Sequence, residues 1–280
     1  VNDLGSACRA VLETADPRTK VMAARAVARD WRLGRLRFAF DVLMPARPAR
    51  RDRPILLPPS HMPRRGRAGT QRTRIAMLHA LAHIEYVAID LAFDLVGRFG
   101  SMFPERFADQ WLVVGAQEAL HFALVDRRLR ALGTAYGDLP AHDGLWEAAA
   151  ATVNDALARL AVVPMVLEAR GLDATPPMIA RFEAAGDAAS ARILKRIAAD
   201  EVGHVAAGVE WFGYLCAAQR FEPVETWRKL VRQNFGGAVK PPFNDSARDE
   251  AGLTKAYYLG LAADCDPSHK GPASQQGGQS

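Results

Sequence analysis

The chain has 280 residues, 49% of them hydrophobic and 24% charged, with a formal net charge of +5. That is enough apolar mass for one sizeable core with appendages, and no run approaches the roughly 18 uncharged apolar residues of a membrane span. Three scattered cysteines, Cys8, Cys216 and Cys265, exclude a disulfide framework; with no signal-peptide pattern at Val1-Asn2-Asp3-Leu4, they point to a cytoplasmic setting.

The pattern is helical from end to end. A first helix is expected around Ser6 to Thr14, and Asp16-Pro17 reads as the cap and first turn of a second, reaching about Arg29. From Met44 to Gly69 six prolines deny long helices and central strands, so this segment is expected as an extended loop over the domain. Arginines 47, 50, 51, 53, 64, 65, 67, 72 and 74 crowd in and just after it. Such a cluster can meet phosphates, but no aromatic residues interleave it as base-stacking platforms would, which favours a solvated loop.

Four long helices follow. The first spans about Arg72 to Arg98, the second about Glu105 to Leu132 with Gly133 just past its end, and the third about Leu145 to Arg170 with Gly171 ending it. Pro164 should loosen the third. Thr175-Pro176-Pro177 reads as the start of a short helix, and Asp187 as the cap of the fourth long one, reaching about Cys216. A shorter helix near Val224 to Asn234 and a last one near Ala247 to Leu261 complete the series, with no convincing strand. The expected organisation is all-α: residues 1–69 packed on the bundle, 70–218 a four-helix bundle, 219–265 a helical extension, and 266–280 a disordered tail.

One pattern carries chemistry. Glu118 and His121 are three apart, hence on one helix face, and so are Glu201 and His204. A lone glutamate, Glu85 or Glu168, precedes each pair by 33 residues, one helix earlier, in the middle of an apolar stripe. Chance placement of 12 glutamates and 7 histidines gives about 0.3 Glu-x-x-His matches in such a chain, and there are two. Buried carboxylates are costly unless neutral, paired or metal-bound. Four glutamates and two histidines on four helices form the ligand set of a bundle-borne dimetal site, and oxygen-rich ligation with one imidazole per metal suits iron or manganese. The bland alternative is a set of polar side chains that satisfy one another in a helical core.

With these residues in place, the sequence resembles the ferritin-like di-iron carboxylate superfamily. More narrowly, His83-Ile84-Glu85, Leu167-Glu168-Ala169-Arg170-Gly171-Leu172-Asp173 and Asp200-Glu201-x-x-His204 resemble an uncharacterised bacterial ferritin-like family. That family is similar in site and size to bacterial tRNA hydroxylases. The resemblance implies a ferritin-like four-helix bundle and an oxidoreductase with two iron ions (or a mixed manganese/iron or two-manganese pair) at Glu85, Glu118, His121, Glu168, Glu201 and His204. It would use dioxygen to hydroxylate or oxidise an organic substrate of unassigned identity. An electron-donor protein and a tRNA are conceivable partners, and a monomer or dimer is expected. The rival functions are iron handling as a ferroxidase, and a binding protein whose metal only holds the bundle together.

Around these six, Asp200 is read as a support for the imidazole of His121, with a solvent-facing carboxylate as the alternative. The matching position before Glu118 is Gln117, which breaks the repeat. His79 and His83 lie on another face of their helix from Glu85, where a satisfied polar interface is favoured over a second metal or substrate contact. Trp211 and Tyr214 read as core.

Overall fold

The computed structural model describes residues 3–62 and 68–263. The chain runs through α1 (Leu4–Leu12), α2 (Pro17–Arg32), α3 (Gln71–Phe99), α4 (Glu105–Ala131), α5 (Gly144–Ala151) and α6 (Ala156–Val162). A π-helical turn, Val163–Glu168, leads into α7 (Ala169–Ala184), followed by α8 (Ala188–Gln219), α9 (Pro223–Asn234), α10 (Asp245–Glu250) and α11 (Lys255–Ala263). Among the described residues there is no strand, only the isolated bridges Asp3–Arg37 and Leu56–Ala141. The expected tail from residue 266 lies outside the described residues, as do Cys265, Arg64, Arg65 and Arg67.

The helix starts follow from short polar side chains that satisfy otherwise unpaired amides. Asp3, Asp16 and Asp187 accept from the backbone of Ser6, Thr19 and Ser190 at 2.7, 2.8 and 3.0 Å. Thr70 and Thr73 form a reciprocal capping box at the head of α3. Gly133, at φ +82°, turns the chain away after α4.

α3 is the spine. It packs most extensively on α4, and α1 and α2 close over this pair. Leu78, Tyr86, Val87 and Leu95, which point in four different directions around its axis, are all buried, the pattern of a helix enclosed on all sides. Gln71–Met102, by length and hydropathy able to cross a membrane, has most of its apolar window buried in this way, so the core accounts for its hydropathy.

The sequence-based expectation fails in three places along the chain. The third long helix is two: Thr152 to Asp155 break it, and Asp155 caps α6 by accepting from Ala158 at 2.9 Å. Gly171 does not end a helix, and Pro176-Pro177 do not begin one; both lie inside α7. Pro176 lacks the N–H that would bond the carbonyl of Leu172, and Asn244 Nδ2 donates to that carbonyl instead, at 3.1 Å. The expected last helix is likewise split into α10 and α11 by a turn at Gly252, φ +77°. Pro164 loosens its helix as its position predicts: it lies in the π-helical turn, and Gly208 of α8 faces it where any Cβ would meet the proline ring.

Among the described residues the arginine-rich stretch is solvated in part: Arg47, Arg51, Arg53 and Arg72 are exposed, whereas Arg50 turns inward. Arg50 reaches Asp90 at 2.5 Å, where Asp90 also pairs with Lys20, and Lys20 and Asp90 are both 0% exposed. Burial pulls the Lys20 ammonium down to about 8, against the opposing pull of Asp90. Arg47 pairs with Asp143, Arg51 with Asp16, and Arg74 lies 3.8 Å from Asp187. Arg47, Arg50 and Arg51 fasten the loop to the helices, while Arg74 lies within α3 and faces the head of α8. Trp211 is core, whereas Tyr214 is 45% exposed on the outer face of α8.

Candidate metal centre

Glu85 projects from the middle of α3, Glu118 and His121 from α4, Glu168 from the π-helical turn, and Glu201 and His204 from α8. The fold brings Glu85, Glu118, His121, Glu201 and His204 together, and sets Glu168 near enough to feel the charges of His204 and Glu118. Glu85, Glu118, His121 and His204 are at most 2% exposed and Glu201 is 7% exposed, while Glu168 is half-buried. His121 Nδ1 lies 3.2 Å from Glu85 and 3.6 Å from Glu118. His204 Nδ1 lies 2.8 Å from Glu118 and 3.7 Å from Glu201. Glu118 therefore stands between the two imidazoles, one carboxylate oxygen toward each. One donor atom from each of Glu85, Glu118, His121 and Glu201 falls within 4.8 Å of all the others, a buried group that can hold a metal ion.

The electrostatics are those of a crowded carboxylate cluster. Burial raises the carboxyls of Glu85, Glu168 and Glu201 above the usual range, and the charge of Glu118 adds to each. Burial also disfavours charge on Glu118, but the two imidazoles that flank it prevail and hold its carboxyl low. Burial alone would lower both histidines; hydrogen bonds and charge from Glu118 and Glu85 instead raise His121, and the charges of Glu118 and Glu201 raise His204. Taken by themselves, the six side chains can balance their charge only by sharing protons. Even so, Glu118 Oε2, Glu168 Oε2 and His204 Nδ1 stay enclosed with no hydrogen-bond partner. Enclosed donor atoms left over on carboxylates and an imidazole are what a cation would satisfy.

Outside the six, the repeat is closed. His121 Nε2 donates to Asp200 Oδ2 at 3.0 Å, and Arg196 holds the same oxygen at 2.7 Å. His204 Nε2 donates to Gln117 Oε1, also at 3.0 Å. Each outward bond leaves Nδ1 facing the carboxylates, the tautomer a ligand needs. The expectation that Gln117 breaks the repeat is thus corrected: an amide oxygen accepts the same hydrogen bond as a carboxylate. The signal was its register, one residue before Glu118 as Asp200 is before Glu201.

His79 and His83 are held in a separate polar interface. His79 Nε2 accepts from the amides of Gly137 and Leu139 at 2.9 and 3.3 Å. His83 meets the Tyr136 hydroxyl at 2.9 Å and the carbonyl of His142 at 3.2 Å. Burial lowers them to about 4 and about 3. They are neutral structural groups.

Fold and site together define an all-helical protein with a buried glutamate–histidine cluster able to hold a metal ion. The chain belongs to the family described as "Protein of unknown function (DUF455)", whose model matches residues 13–259, a span that includes the whole cluster. It is similar to an uncharacterized protein of Haemophilus influenzae (strain ATCC 51907 / DSM 11121 / KW20 / Rd), with 40% identity over 210 residues, 73% of each chain. No solved structure matches it.

Proposed function

We propose that the protein is a ferritin-like dimetal-carboxylate oxidoreductase that uses dioxygen to oxidise an organic substrate. Two iron ions would be held by Glu85, Glu118, His121, Glu168, Glu201 and His204, and a manganese-containing pair suits the same donors. The observation that carries this reading is Glu118, buried between two imidazoles 2.8 and 3.6 Å away with its Oε2 unpartnered. Glu168 Oε2 and His204 Nδ1 are left unpartnered in the same cluster, and three spare donor atoms on carboxylates and an imidazole at one buried point are what a cation would satisfy. Bound iron supplies the electron transfer and dioxygen reduction that no side chain here offers.

The chain's own residues supply the rest. Four carboxylates offset the charge of two divalent cations, and burial excludes bulk water. Asp200 and Gln117 orient the imidazoles, and the π-helical turn sets the direction of Glu168. In this reading residues 70–218 are the bundle, 1–69 its cover and 219–265 its extension. A tRNA substrate draws no specific support from Arg47, Arg50, Arg51 and Arg74, which have acidic partners within the chain.

Anaerobic reconstitution with Fe(II), elemental analysis and oxygen-electrode measurement test the proposal. The expected result is two irons per chain, the number the ligand set holds, and oxygen consumption on exposure to air. No iron bound overturns the metal reading; iron bound without oxygen consumption overturns the oxidoreductase and leaves a metal-stabilised binding protein. Iron accumulating beyond that stoichiometry assigns iron handling.

A further inference from the structure

The six side chains of the cluster are unevenly enclosed. Glu85, Glu118, His121 and His204 are at most 2% exposed. The two remaining members are the less enclosed ones: Glu201 has 10% of its side chain accessible and Glu168 is half-buried. Between them, on the first turn of α7, lies Gly171, itself half-buried. It stands three residues from Glu168, hence on the same helix face. A Cβ built on it would sit 3.7 Å from Glu201 Oε2 and 3.8 Å from its Cδ. Nothing but hydrogen separates the α7 backbone from that carboxylate.

A glycine inside a helix is less favourable than alanine. Its φ is not in the left-handed region, so no turn requires it. Nor does close packing, since an alanine Cβ would make ordinary van der Waals contacts. Space beside Glu201 is what the missing side chain provides, and the groups bordering that space are carboxylates, which attract cations.

We propose that divalent cations enter the centre through the gap bordered by Glu168, Gly171 and Glu201, and that Gly171 keeps this entrance open. The inference rests on the metal-centre reading above and adds a route to it. Larger side chains at this position progressively fill the gap and screen Glu201.

Stopped-flow uptake of Co(II), followed by its visible absorption, tests the route in the full chain. The variants are Gly171→Ala, Gly171→Val and Gly171→Leu, with circular dichroism and equilibrium Co(II) stoichiometry measured on each. Gly213→Leu is the control for replacing a helical glycine, because a Cβ there has no neighbour within 4 Å and the residue lies far along α8. The expected result is a rate that falls in the order Gly, Ala, Val, Leu, by at least about tenfold at leucine, roughly 1.4 kcal/mol in barrier. Stoichiometry and the Gly213→Leu rate stay at the wild-type value. Should leucine prevent folding, the alanine and valine steps carry the same ordering. Wild-type rates in all folded Gly171 variants, or an equal slowing in Gly213→Leu, overturn the entrance while leaving the metal centre intact. Wild-type protein that takes up no Co(II) overturns both.

Discussion

Gln117 Oε1 lies 3.0 Å from His204 Nε2, the same distance at which Asp200 Oδ2 meets His121 Nε2. Each supports the histidine of the opposite helix and each directly precedes a cluster glutamate, so α4 and α8 hold one another's imidazoles in register. The chemistry of the two supports differs. A carboxylate raises the basicity of His121, whereas a neutral amide fixes the orientation of His204 with less effect on its donor strength. Divalent cations are therefore expected to bind with two unequal affinities, the tighter on the His121 side. Asp200→Asn should weaken the tighter step by about 10- to 100-fold, as outer supports of ligating histidines commonly do, and bring the two steps together. Calorimetric Co(II) titration reads this, and an unaltered isotherm refutes it.

A cluster of raised carboxyls is unfavourable until a cation neutralises it. Glu201, which burial lifts well above its ordinary range with Glu118, Glu85 and Glu168 adding to the effect, is the place to see this. Glu201→Gln keeps the shape and removes the ionisable carboxyl. In protein treated with a chelator, the variant is expected to melt at least as high as wild type, against the usual trend for buried substitutions. Added metal should then separate them. A ligand at 100 times its dissociation constant stabilises the wild type by about 2.7 kcal/mol, and the variant should gain much less. Equal metal-induced shifts in Tm argue against Glu201 as a ligand.

Much of this arrangement is readable from residue order. Asp16-Pro17, Thr70, Asp187 and Gly133 mark helix ends through local chemistry, so α2, α3, α4 and α8 fall within a few residues of expectation. Glu85 stands out because it interrupts an apolar stripe, and the paired spacing of Glu118 with His121 and Glu201 with His204 needs no distant information. What is hidden in the sequence depends on partners far along the chain. Pro176-Pro177 reads as a helix start because nothing nearby replaces the lost N–H; the replacement comes from Asn244, which follows 72 residues after Leu172. Arg50 reads as one of a solvated cluster because Asp90 and Lys20 reach it only through the fold. The break before α6 lies in an alanine-rich run, where the single signal is Asp155 as a cap.

The Asn244 bond to α7 makes a specific energetic prediction. Asn244→Ala removes the donor to the Leu172 carbonyl and the cap of α10, where its Oδ1 accepts from Ala247 at 3.4 Å. The expected loss is about 1–3 kcal/mol. Pro176→Ala restores a backbone N–H in the right place, so in the Asn244→Ala background it should recover part of that loss. A double-mutant cycle by urea denaturation measures the coupling. Strict additivity shows that the two residues do not share the carbonyl.

The Lys20–Asp90–Arg50 group is expected to behave as a buried ion network. Asp90→Asn leaves two cations facing an amide, one of them with no exposed surface, and should destabilise by about 3–5 kcal/mol. The Arg50 end should respond first, because it is the strap from the loop. Limited proteolysis is expected to cut between residues 44 and 62 faster in this variant than in wild type. An Asp90→Asn protein with wild-type stability and an uncut loop contradicts the network.

His79 and His83 give the protein an acid limit of their own. Burial holds both below the ordinary histidine value near 6.5, at about 4 and about 3 in the folded chain. The unfolded chain therefore binds more protons than the folded one as pH falls from about 6.5 toward about 4, and stability falls with pH across that window. The cluster histidines shift the opposite way, so the effect is isolated as a difference between wild type and His83→Gln. Glutamine can still meet Tyr136 and the carbonyl of His142 but does not titrate. Between pH 6.5 and 5.5 the His83 share is roughly 1 kcal/mol. Urea midpoints measured at both pH values should therefore show wild type losing more stability than His83→Gln on acidification. Parallel losses in the two proteins would show that His83 is not held neutral by the fold.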